Sequence, residues 1–208
     1  MLIRHLPVSD PIGVLMSFGQ RLGSILTYTG ERNGEAIHDI RSNPLRRLEC
    51  SSFGSSLPLR FHTEMAFHDV TPSFVLLFCV RSDPYCTTEL VEQYNVVSRL
   101  TRKSFDTLKK PLYRIHPPES YELPHKPLWK EILFHQSILS FADHCRTEFK
   151  TDEARESYQE LIDICRKQKS SIVLQDGDLL IINNKTQIHA RSAYSPFSHR
   201  LLKRMYVL

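Results

Sequence analysis

The run FVLLFCV at residues 74–80 contains no charged or strongly polar side chain, in a chain of 208 residues. A strand that is apolar at every position is typical of a sheet covered on both faces. Strand patterns also occupy residues 1–6, residues 59–68, the segment SIVLQDGDLLIINN and the C-terminal LLKRMYVL. We therefore expect a mainly β protein, with a sandwich or barrel core that carries its helices on the outside.

Helix signals are fewer and are well separated along the chain. Residues 9–11 (SDP) form a polar start with Pro in the first turn, and apolar residues follow at helical spacing. Residues 151–168 give the clearest helix, with Thr151 or Asp152 as its cap and one apolar face. A third helix is predicted from about Thr88.

The remaining segments carry turn and loop signals. Asp176-Gly177 separates two strand patterns and predicts a hairpin. Residues 30–58 predict loops with one or two short strands, and residues 111–130, with five prolines, predict mostly loop. The chain has no internal repeat and no linker, so we expect a single domain over residues 1–208.

Composition excludes several classes of function. Lys and Arg number 27 against 23 for Asp and Glu, and this small excess forms no basic block, which argues against a nucleic-acid partner. The five cysteines are odd in number and contain no CxxC pair, which argues against a disulfide scaffold or a structural zinc site. No apolar run is long enough to span a membrane, and residues 1–30 lack the n-region and h-region pattern of a signal peptide, so we expect none. We expect a cytoplasmic protein whose partner is a small molecule.

The segment His62-Thr63-Glu64 places an imidazole and a carboxylate two residues apart in a predicted strand. Side chains at positions i and i+2 of a strand point to the same face, so His62 and Glu64 can converge. One histidine and one carboxylate are two of the three ligands of the facial triad that binds Fe(II). His189, which directly follows the DGDLLIINN pattern, is the leading candidate for the third ligand.

A facial triad leaves three positions on the metal open. A bidentate 2-oxo acid can occupy two of them and dioxygen the third, and the distant carboxylate of the 2-oxo acid then requires an anchor. Arg200 lies 11 residues after His189 (200 − 189). Its guanidinium could hold that carboxylate with two parallel hydrogen bonds.

Each of these residues has an ordinary structural interpretation when it is considered alone. An HxE pair arises easily by chance in a chain with ten histidines, and a lone histidine is more often hydrogen-bonded than metal-bound. Arg200 alone is more often a solvated charge, and His68, at the end of the same predicted strand, is interpreted as structural. The agreement of spacing, order and local structure favours the metal site.

The segments RFHTEMAFHDVTPSFVLLFCVRSDP and DGDLLIINNKTQIHARSAYSPFSHRLLKRMYVL carry these residues. They resemble the iron-binding strand and the distal-histidine segment of the clavaminate synthase-like dioxygenases, within the wider taurine dioxygenase-related superfamily. The resemblance implies a double-stranded β-helix (jelly-roll) fold and an Fe(II)- and 2-oxoglutarate-dependent oxygenase. Such enzymes use O2 to convert 2-oxoglutarate to succinate and CO2 while they hydroxylate, desaturate or cyclise a substrate.

The resemblance also implies roles for individual residues. It makes His62, Glu64 and His189 the iron ligands and Arg200 the residue that binds 2-oxoglutarate. Arg204 corresponds to an arginine that holds the substrate carboxylate in the amino-acid oxygenases of the group.

A threonine that contacts 2-oxoglutarate in the family falls either on Thr88 or, after a one-residue gap, on Glu89. A carboxylate beside the carboxylate of the co-substrate is repulsive, which favours Thr88. Related halogenases carry Gly or Ala at the carboxylate ligand, so that chloride can bind the iron. The presence of Glu64 therefore favours hydroxylation or a similar oxidation.

The expected substrate is a free amino acid or a small molecule derived from one. Arg204 and nearby serines, Ser55 among them, support this interpretation. Asp143, in the segment SFADHC, is a candidate partner for a substrate ammonium or guanidinium group, with an ordinary exposed acid as the alternative. The usual setting of such enzymes is the biosynthesis of antibiotics and other secondary metabolites.

The start of the chain departs from the family pattern. MLIRHLPV resembles an early core strand, so the N-terminal part of the family fold is expected to be absent. An incomplete sheet would expose an edge and favour a homodimer. The competing hypothesis is a catalytically silent jelly-roll that binds a small acid or acts as an interaction module, and the complete His–Glu–His–Arg pattern argues against it.

Overall fold

The computed structural model describes residues 1–46, 54–118, 121–123, 125–135 and 137–208, so parts of both predicted loop regions lie outside the described residues. The strands are Leu2–Ile3 (β1), Ile25–Leu26 (β2), Ile37–Arg41 (β3), Leu59–His62 (β4), Phe74–Arg81 (β5), Thr88–Glu92 (β6), Tyr113–Ile115 (β7), Leu133–Phe134 (β8), Ile138–Leu139 (β9), Thr147–Phe149 (β10), Ser170–Ile172 (β11), Leu179–Asn183 (β12), Gln187–Arg191 (β13) and Leu201–Val207 (β14). The α-helices are Pro11–Leu22 (α1), Gln93–Val97 (α2), Arg102–Leu108 (α3) and Asp152–Gln168 (α4).

Two antiparallel sheets form the jelly-roll core. The major sheet has the order β1-β12-β5-β14-β2, with β3 also paired to β14, and the minor sheet has the order β11-β6-β13-β4. An apolar cluster joins their inner faces, because residues of β5, β12 and β14 pack against Leu90 of β6 and Ile172 of β11. The mainly β, jelly-roll class expected from the sequence is confirmed.

Helices cover the outer faces of both sheets. Strand β5 explains the fully apolar run, since Val75, Leu77 and Cys79 face the other sheet while Leu76 and Phe78 pack in the cluster that includes α1. Helix α1 begins after Asp10, whose side chain accepts a hydrogen bond from the Gly13 amide. None of the described helices combines the length and the apolar character needed to cross a membrane.

Helix α4 packs against the outer face of the minor sheet. Its cap is Thr151, whose side chain accepts from the Ala154 amide, as the sequence predicted. The face of α4 that includes Leu161 and Cys165 belongs to the cluster that also contains Phe61 and Ile188. The minor sheet thus lies between α4 and the inner core.

Two predicted elements near the minor sheet are wrong. The helix predicted from Thr88 is instead strand β6, and the helix begins only at Gln93, because β6 pairs with β13 on one side and β11 on the other. The predicted hairpin at Asp176-Gly177 is also absent. Its two arms, β11 and β12, belong to different sheets, so the turn is a crossover between the layers.

The strand predicted for residues 59–68 ends at His62. Met65 has φ 56°, in the left-handed region that an L-residue rarely adopts, and the His68 amide closes a turn on the Met65 carbonyl. Glu64 therefore lies just beyond the strand, at the start of a turn.

Candidate active site

The neighbouring strands β4 and β13 bring two histidines side by side. His62 ends β4, and the register pairs it directly with His189 of β13. Glu64 follows two residues later, and its Oε2 lies 3.2 Å from His189 Nε2 and 3.7 Å from His62 Nε2. The three side chains are buried, and their candidate ligand atoms all lie within 4.8 Å of one another.

The protonation states of these side chains suit a metal cation. His62 Nδ1 donates to the Arg60 carbonyl at 2.8 Å, which leaves the lone pair on Nε2, the atom that faces Glu64. Burial lowers the pKa of His189 to about 4, so its imidazole is neutral near pH 7. Burial alone would raise the pKa of Glu64, but Arg204 and the two histidines outweigh it and hold that pKa well below its usual range.

The donor set and its spacing fit a mononuclear metal ion. Neighbouring ligand atoms in an octahedral site lie about 3 Å apart when the metal–ligand bonds are about 2.1 Å long. The separations of Glu64 Oε2 from the two histidine nitrogens are close to this value. Two imidazoles and one carboxylate form the facial triad typical of non-haem Fe(II) oxygenases.

The triad lines a cavity between the two sheets. The remaining lining residues are mostly aliphatic or cationic: Ile40, Leu59, Leu77, Thr88, Ala190, Arg191, Arg200, Leu202 and Arg204. Arg200 is 3% exposed, its Nη1 makes no hydrogen bond to any described residue, and no described carboxylate forms an ion pair with it. A buried guanidinium without a counter-charge is costly, so this end of the cavity favours an anionic ligand.

The structure separates Thr88 from Glu89. Thr88 is 3% exposed and lines the cavity, where it pairs across the sheet with Arg191. Glu89 points to the opposite face, and its Oε1 accepts a hydrogen bond from Lys169 Nζ at 2.5 Å. Thr88 is therefore the residue of the two whose hydroxyl lies within the cavity.

Arg204, on β14, lies at the centre of a buried polar cluster. Its Nη1 donates to Glu64 Oε1 at 3.1 Å, and its Nη2 donates to Glu31 Oε1 at 2.5 Å. His38, its partner in the β3–β14 register, lies 3.2 Å from Nη2 through Nδ1. The Tyr206 hydroxyl also donates to Glu64 Oε1, at 2.8 Å. This oxygen, which is not the one nearest the histidines, is therefore held by both Arg204 and Tyr206.

Glu31 carries the unbalanced charge of this cluster. Two buried carboxylates, Glu31 and Glu64, share the single guanidinium of Arg204. Burial raises the pKa of Glu31, and the charge of Glu64 adds to this, although Arg204 opposes both. Glu31 Oε2 makes no hydrogen bond to any described residue. Additional positive charge at this point, from a metal ion or a ligand, is electrostatically favoured.

The segment SFADHC places a different residue near the metal site than the sequence predicted. The His144 ring packs edge-on against the His62 ring at 4.6 Å, whereas Asp143 lies toward Arg60 and toward Arg166 of α4. Asp143 is absent from the described lining of the cavity. Its substrate-binding role has no support in these contacts and stays a prediction.

Ser55 lies close to the cavity without lining it. Its hydroxyl accepts from the Leu57 amide at 3.1 Å, and its carbonyl accepts from Arg191 Nη2 at 3.0 Å. Arg191 and Arg200 contact the same aromatic ring, that of Tyr194, at 4.6 and 5.7 Å from its centroid. Ser55 thus supports the arginine wall of the cavity, and its predicted contact with substrate stays a prediction.

Sequence reasoning missed Glu31, His38, Tyr206 and His144. Tyr206 carried a usable signal, since it follows Arg204 by two residues in a predicted strand and must share its face. Glu31 carried none, because it lies in a loop and reaches the site only through the packing of that loop against β14.

A jelly-roll with a His–Glu–His facial triad and arginines in the same cavity defines the non-haem iron oxygenase class. The family model described as "Taurine catabolism dioxygenase TauD, TfdA family" matches residues 1–206, and the chain belongs to this family.

The chain is similar to several amino-acid oxygenases. It is 31% identical to L-asparagine oxygenase of Streptomyces coelicolor over 94% of this chain and 61% of the relative. It is 26% identical to L-lysine 3-hydroxylase of Catenulispora acidiphila over 90% of this chain and 56% of the relative. The chain therefore spans less than two thirds of the length of these relatives.

Solved structures give the same result. Asparagine oxygenase in complex with Fe(II), 2S,3S-3-hydroxyasparagine and succinate superimposes with a TM-score of 0.92 at 25% identity, covering 100% of this chain and 73% of that chain. The non-haem iron oxygenase OrfP, in complex with iron and alpha-ketoglutaric acid, matches with a TM-score of 0.80 at 26% identity. This match covers 93% of this chain and 63% of OrfP.

Proposed function

We propose that the protein is an Fe(II)- and 2-oxoglutarate-dependent oxygenase that hydroxylates a free amino acid or a close derivative. The observation that carries this proposal is the meeting of the His62–Glu64–His189 triad with the Arg204–Glu31 pair in a single buried cluster. Arg200 and Arg204 both line the cavity, and Glu31 contacts Arg204 from outside the described lining.

The three triad residues would hold the iron, which supplies oxygen activation when it is bound. The chain's own contribution is to fix the ligands and to exclude water. His62 is oriented by the Arg60 carbonyl, and Glu64 by Arg204 and Tyr206. Aliphatic side chains such as Leu77 and Leu202 form the nearby wall, so little water competes for the reacting groups.

Arg200 and Thr88 would bind the distant carboxylate of 2-oxoglutarate. A guanidinium can grip a carboxylate with two parallel hydrogen bonds, and the Thr88 hydroxyl adds a third donor. Support comes from the burial of both side chains in the cavity and from the absence of a described acid beside Arg200.

The Arg204–Glu31 pair complements the charges of an α-amino acid. A substrate carboxylate can take a place on Arg204 while its ammonium group takes Glu31, so one internal ion pair is exchanged for two with the ligand. The ammonium group would replace, at Glu31, the positive charge that Arg204 gives up to the substrate carboxylate. The names of the relatives, which act on asparagine and lysine, support the same substrate class.

Turnover with a matched series of substrates tests the proposal. The protein, loaded anaerobically with Fe(II), would be given 2-oxoglutarate and O2 with free amino acids, their N-acetyl forms or their carboxamides. Succinate and a product heavier by one oxygen are expected with at least one free amino acid, and much less with either blocked form. A chain that forms no succinate with any of them would support the silent jelly-roll instead.

Arg200→Lys is expected to weaken 2-oxoglutarate binding, because the ammonium group keeps the charge but loses the fork. The loss of one charge-assisted hydrogen bond costs about 1.5–3 kcal/mol, or roughly 10- to 100-fold in affinity. Titration of the Fe(II) protein with 2-oxoglutarate measures the effect, with Arg21→Lys, on the distant helix α1, as the control. Unchanged affinity would place the anchor at another residue, such as Arg191.

A further inference from the structure

The backbone of Glu64 lies outside the sheet, although the residue must be held in place. The strand ends at His62, and the Thr63 amide still pairs with the Phe141 carbonyl at 2.9 Å. One residue after Glu64, the chain turns away through the left-handed backbone of Met65. Glu64 therefore has no neighbouring strand to take up its amide and carbonyl groups, which would be costly to bury unpaired.

The side chain of Asn184 takes the place of that strand. Its Oδ1 accepts from the Glu64 amide at 2.7 Å, and its Nδ2 donates to the Glu64 carbonyl at 3.2 Å. Nδ2 also donates to the Pro72 carbonyl at 3.0 Å. Asn184 is 4% exposed. Its side-chain amide pairs with both the backbone N–H and the backbone carbonyl of Glu64, as a neighbouring strand would.

Asn184 is itself fixed from the other side. Its backbone amide donates to the Ser73 carbonyl at 2.9 Å, and its backbone carbonyl accepts from Gln93 Nε2 at 3.1 Å. Gln93 is 1% exposed, and its Oε1 accepts from the Leu139 amide at 2.7 Å. The hydrogen bonds from Leu139 through Gln93 to Asn184 therefore position Asn184 without any contact to Glu64.

We propose that Asn184 is a positioning residue that holds Glu64 in the geometry needed to bind the metal. Asn184 lies in the turn between β12 and β13, and His189 follows it on β13. The same turn thus leads into the strand that carries His189, and its Asn184 side chain holds the backbone of Glu64. We call this pair of hydrogen bonds between Asn184 and Glu64 the clamp. This inference rests on the proposed metal site and adds to it a residue that does not contact the metal.

The clamp predicts that metal affinity and backbone protection at Glu64 change together. Asn184→Asp keeps the size of the side chain but replaces the Nδ2 amino group, which donates to the Glu64 and Pro72 carbonyls, by an oxygen that repels them. Asn184→Ala removes all three hydrogen bonds. Loss of a residue that orients a metal ligand typically weakens metal binding about 10- to 100-fold, and we expect this range for both variants.

Anaerobic titration with Fe(II), and with Co(II) as a spectroscopic probe, measures the affinity in folded protein. Two controls match the change. Asn183→Ala alters a neighbouring side-chain amide whose Oδ1, among the described residues, accepts from the Lys185 backbone amide. Leu161→Ala destabilises the α4 cluster at a residue outside the triad. Both controls are expected to bind metal as the unaltered protein does, even where Leu161→Ala unfolds at a lower temperature.

Hydrogen exchange in metal-free protein provides a second readout. The amide of Glu64 should exchange faster in Asn184→Ala than in Leu161→Ala, because only the first variant removes its acceptor. If both Asn184 variants bound the metal as tightly as Leu161→Ala does, the proposal would be overturned. If the unaltered protein bound no metal, the proposed function would fail, while unchanged exchange at Glu64 in Asn184→Ala would separately refute the clamp.

Discussion

His189→Ala is expected to abolish iron binding and succinate formation while the fold is retained. The variant leaves only His62 and Glu64 as ligands, and two ligands cannot hold iron against water and buffer in the facial geometry. Stability should fall by about 1–3 kcal/mol, since the imidazole is buried and its ring lies 4.1 Å from that of His62. Iron content after anaerobic reconstitution, succinate formation and thermal unfolding would be measured on the same samples.

His68→Ala is the matched control for this experiment. His68 lies in the turn that follows the triad strand, where its ring packs against Tyr28 at 4.8 Å, and it is not part of the triad. It should retain iron and turnover. Full iron content and activity in His189→Ala would contradict the assignment of the third ligand.

Arg204→Ala is expected to uncouple the reaction. If Arg204 holds the substrate carboxylate, its loss removes two charge-assisted hydrogen bonds, and coupled oxidation should fall by about 100-fold or more. Decarboxylation of 2-oxoglutarate without substrate oxidation should persist in the protein that retains iron, because Arg200 is unchanged and Tyr206 still donates to Glu64. The ratio of succinate to oxidised product measures this uncoupling.

Arg204 also has a structural role, which the same variant exposes. Its removal leaves Glu31 and Glu64 buried without a counter-charge, and breaking a buried ion pair in this way costs about 3–5 kcal/mol. Arg204→Lys restores the positive charge but not the two parallel N–H donors of the guanidinium. It should therefore recover most of the stability but little of the coupling. An Arg204→Ala protein that is stable and normally coupled would remove Arg204 from the substrate site.

The core of the fold was predictable because its signals are local. The apolar run at residues 74–80 required a strand buried on both faces, and β5 is that strand. The starts of two helices were predicted from polar residues, and the structure selects Thr151 from the pair Thr151 or Asp152, and Asp10 from residues 9–11, as the caps. The HxE spacing and His189 likewise indicated a shared site, which the β4–β13 register provides.

The errors arose where tertiary pairing decided the structure. The segment from Thr88 has apolar residues at helical spacing, but it pairs with strands on both sides, and those partners lie about 80 and 100 residues away. The Asp176-Gly177 turn has the chemistry of a hairpin, yet the hydrophobic faces of its two arms belong to different sheets. No local pattern reports which sheet a strand will join.

The site was predictable in its ligands and not in the residues that surround them. Arg204 was identified through the resemblance to the amino-acid oxygenases, whereas Glu31, its ion-pair partner, lies 173 residues earlier and has no motif. Asp143 was a candidate because of its charge, but the turn that follows the His62–Ala142 bridge places His144 against His62. Asn184 was invisible for the same reason, since its function depends on a backbone that lies 120 residues away.

Anaerobic addition of Fe(II) and 2-oxoglutarate, followed in the visible spectrum, tests the central claim most directly. If the triad and Arg200 form a working site, a weak charge-transfer band from the iron–2-oxo acid chelate should appear only when both are present. It should saturate at a single equivalent of iron and be lost on exposure to O2 as succinate forms. A folded protein that gives no band, and binds neither iron nor 2-oxoglutarate, would contradict the account.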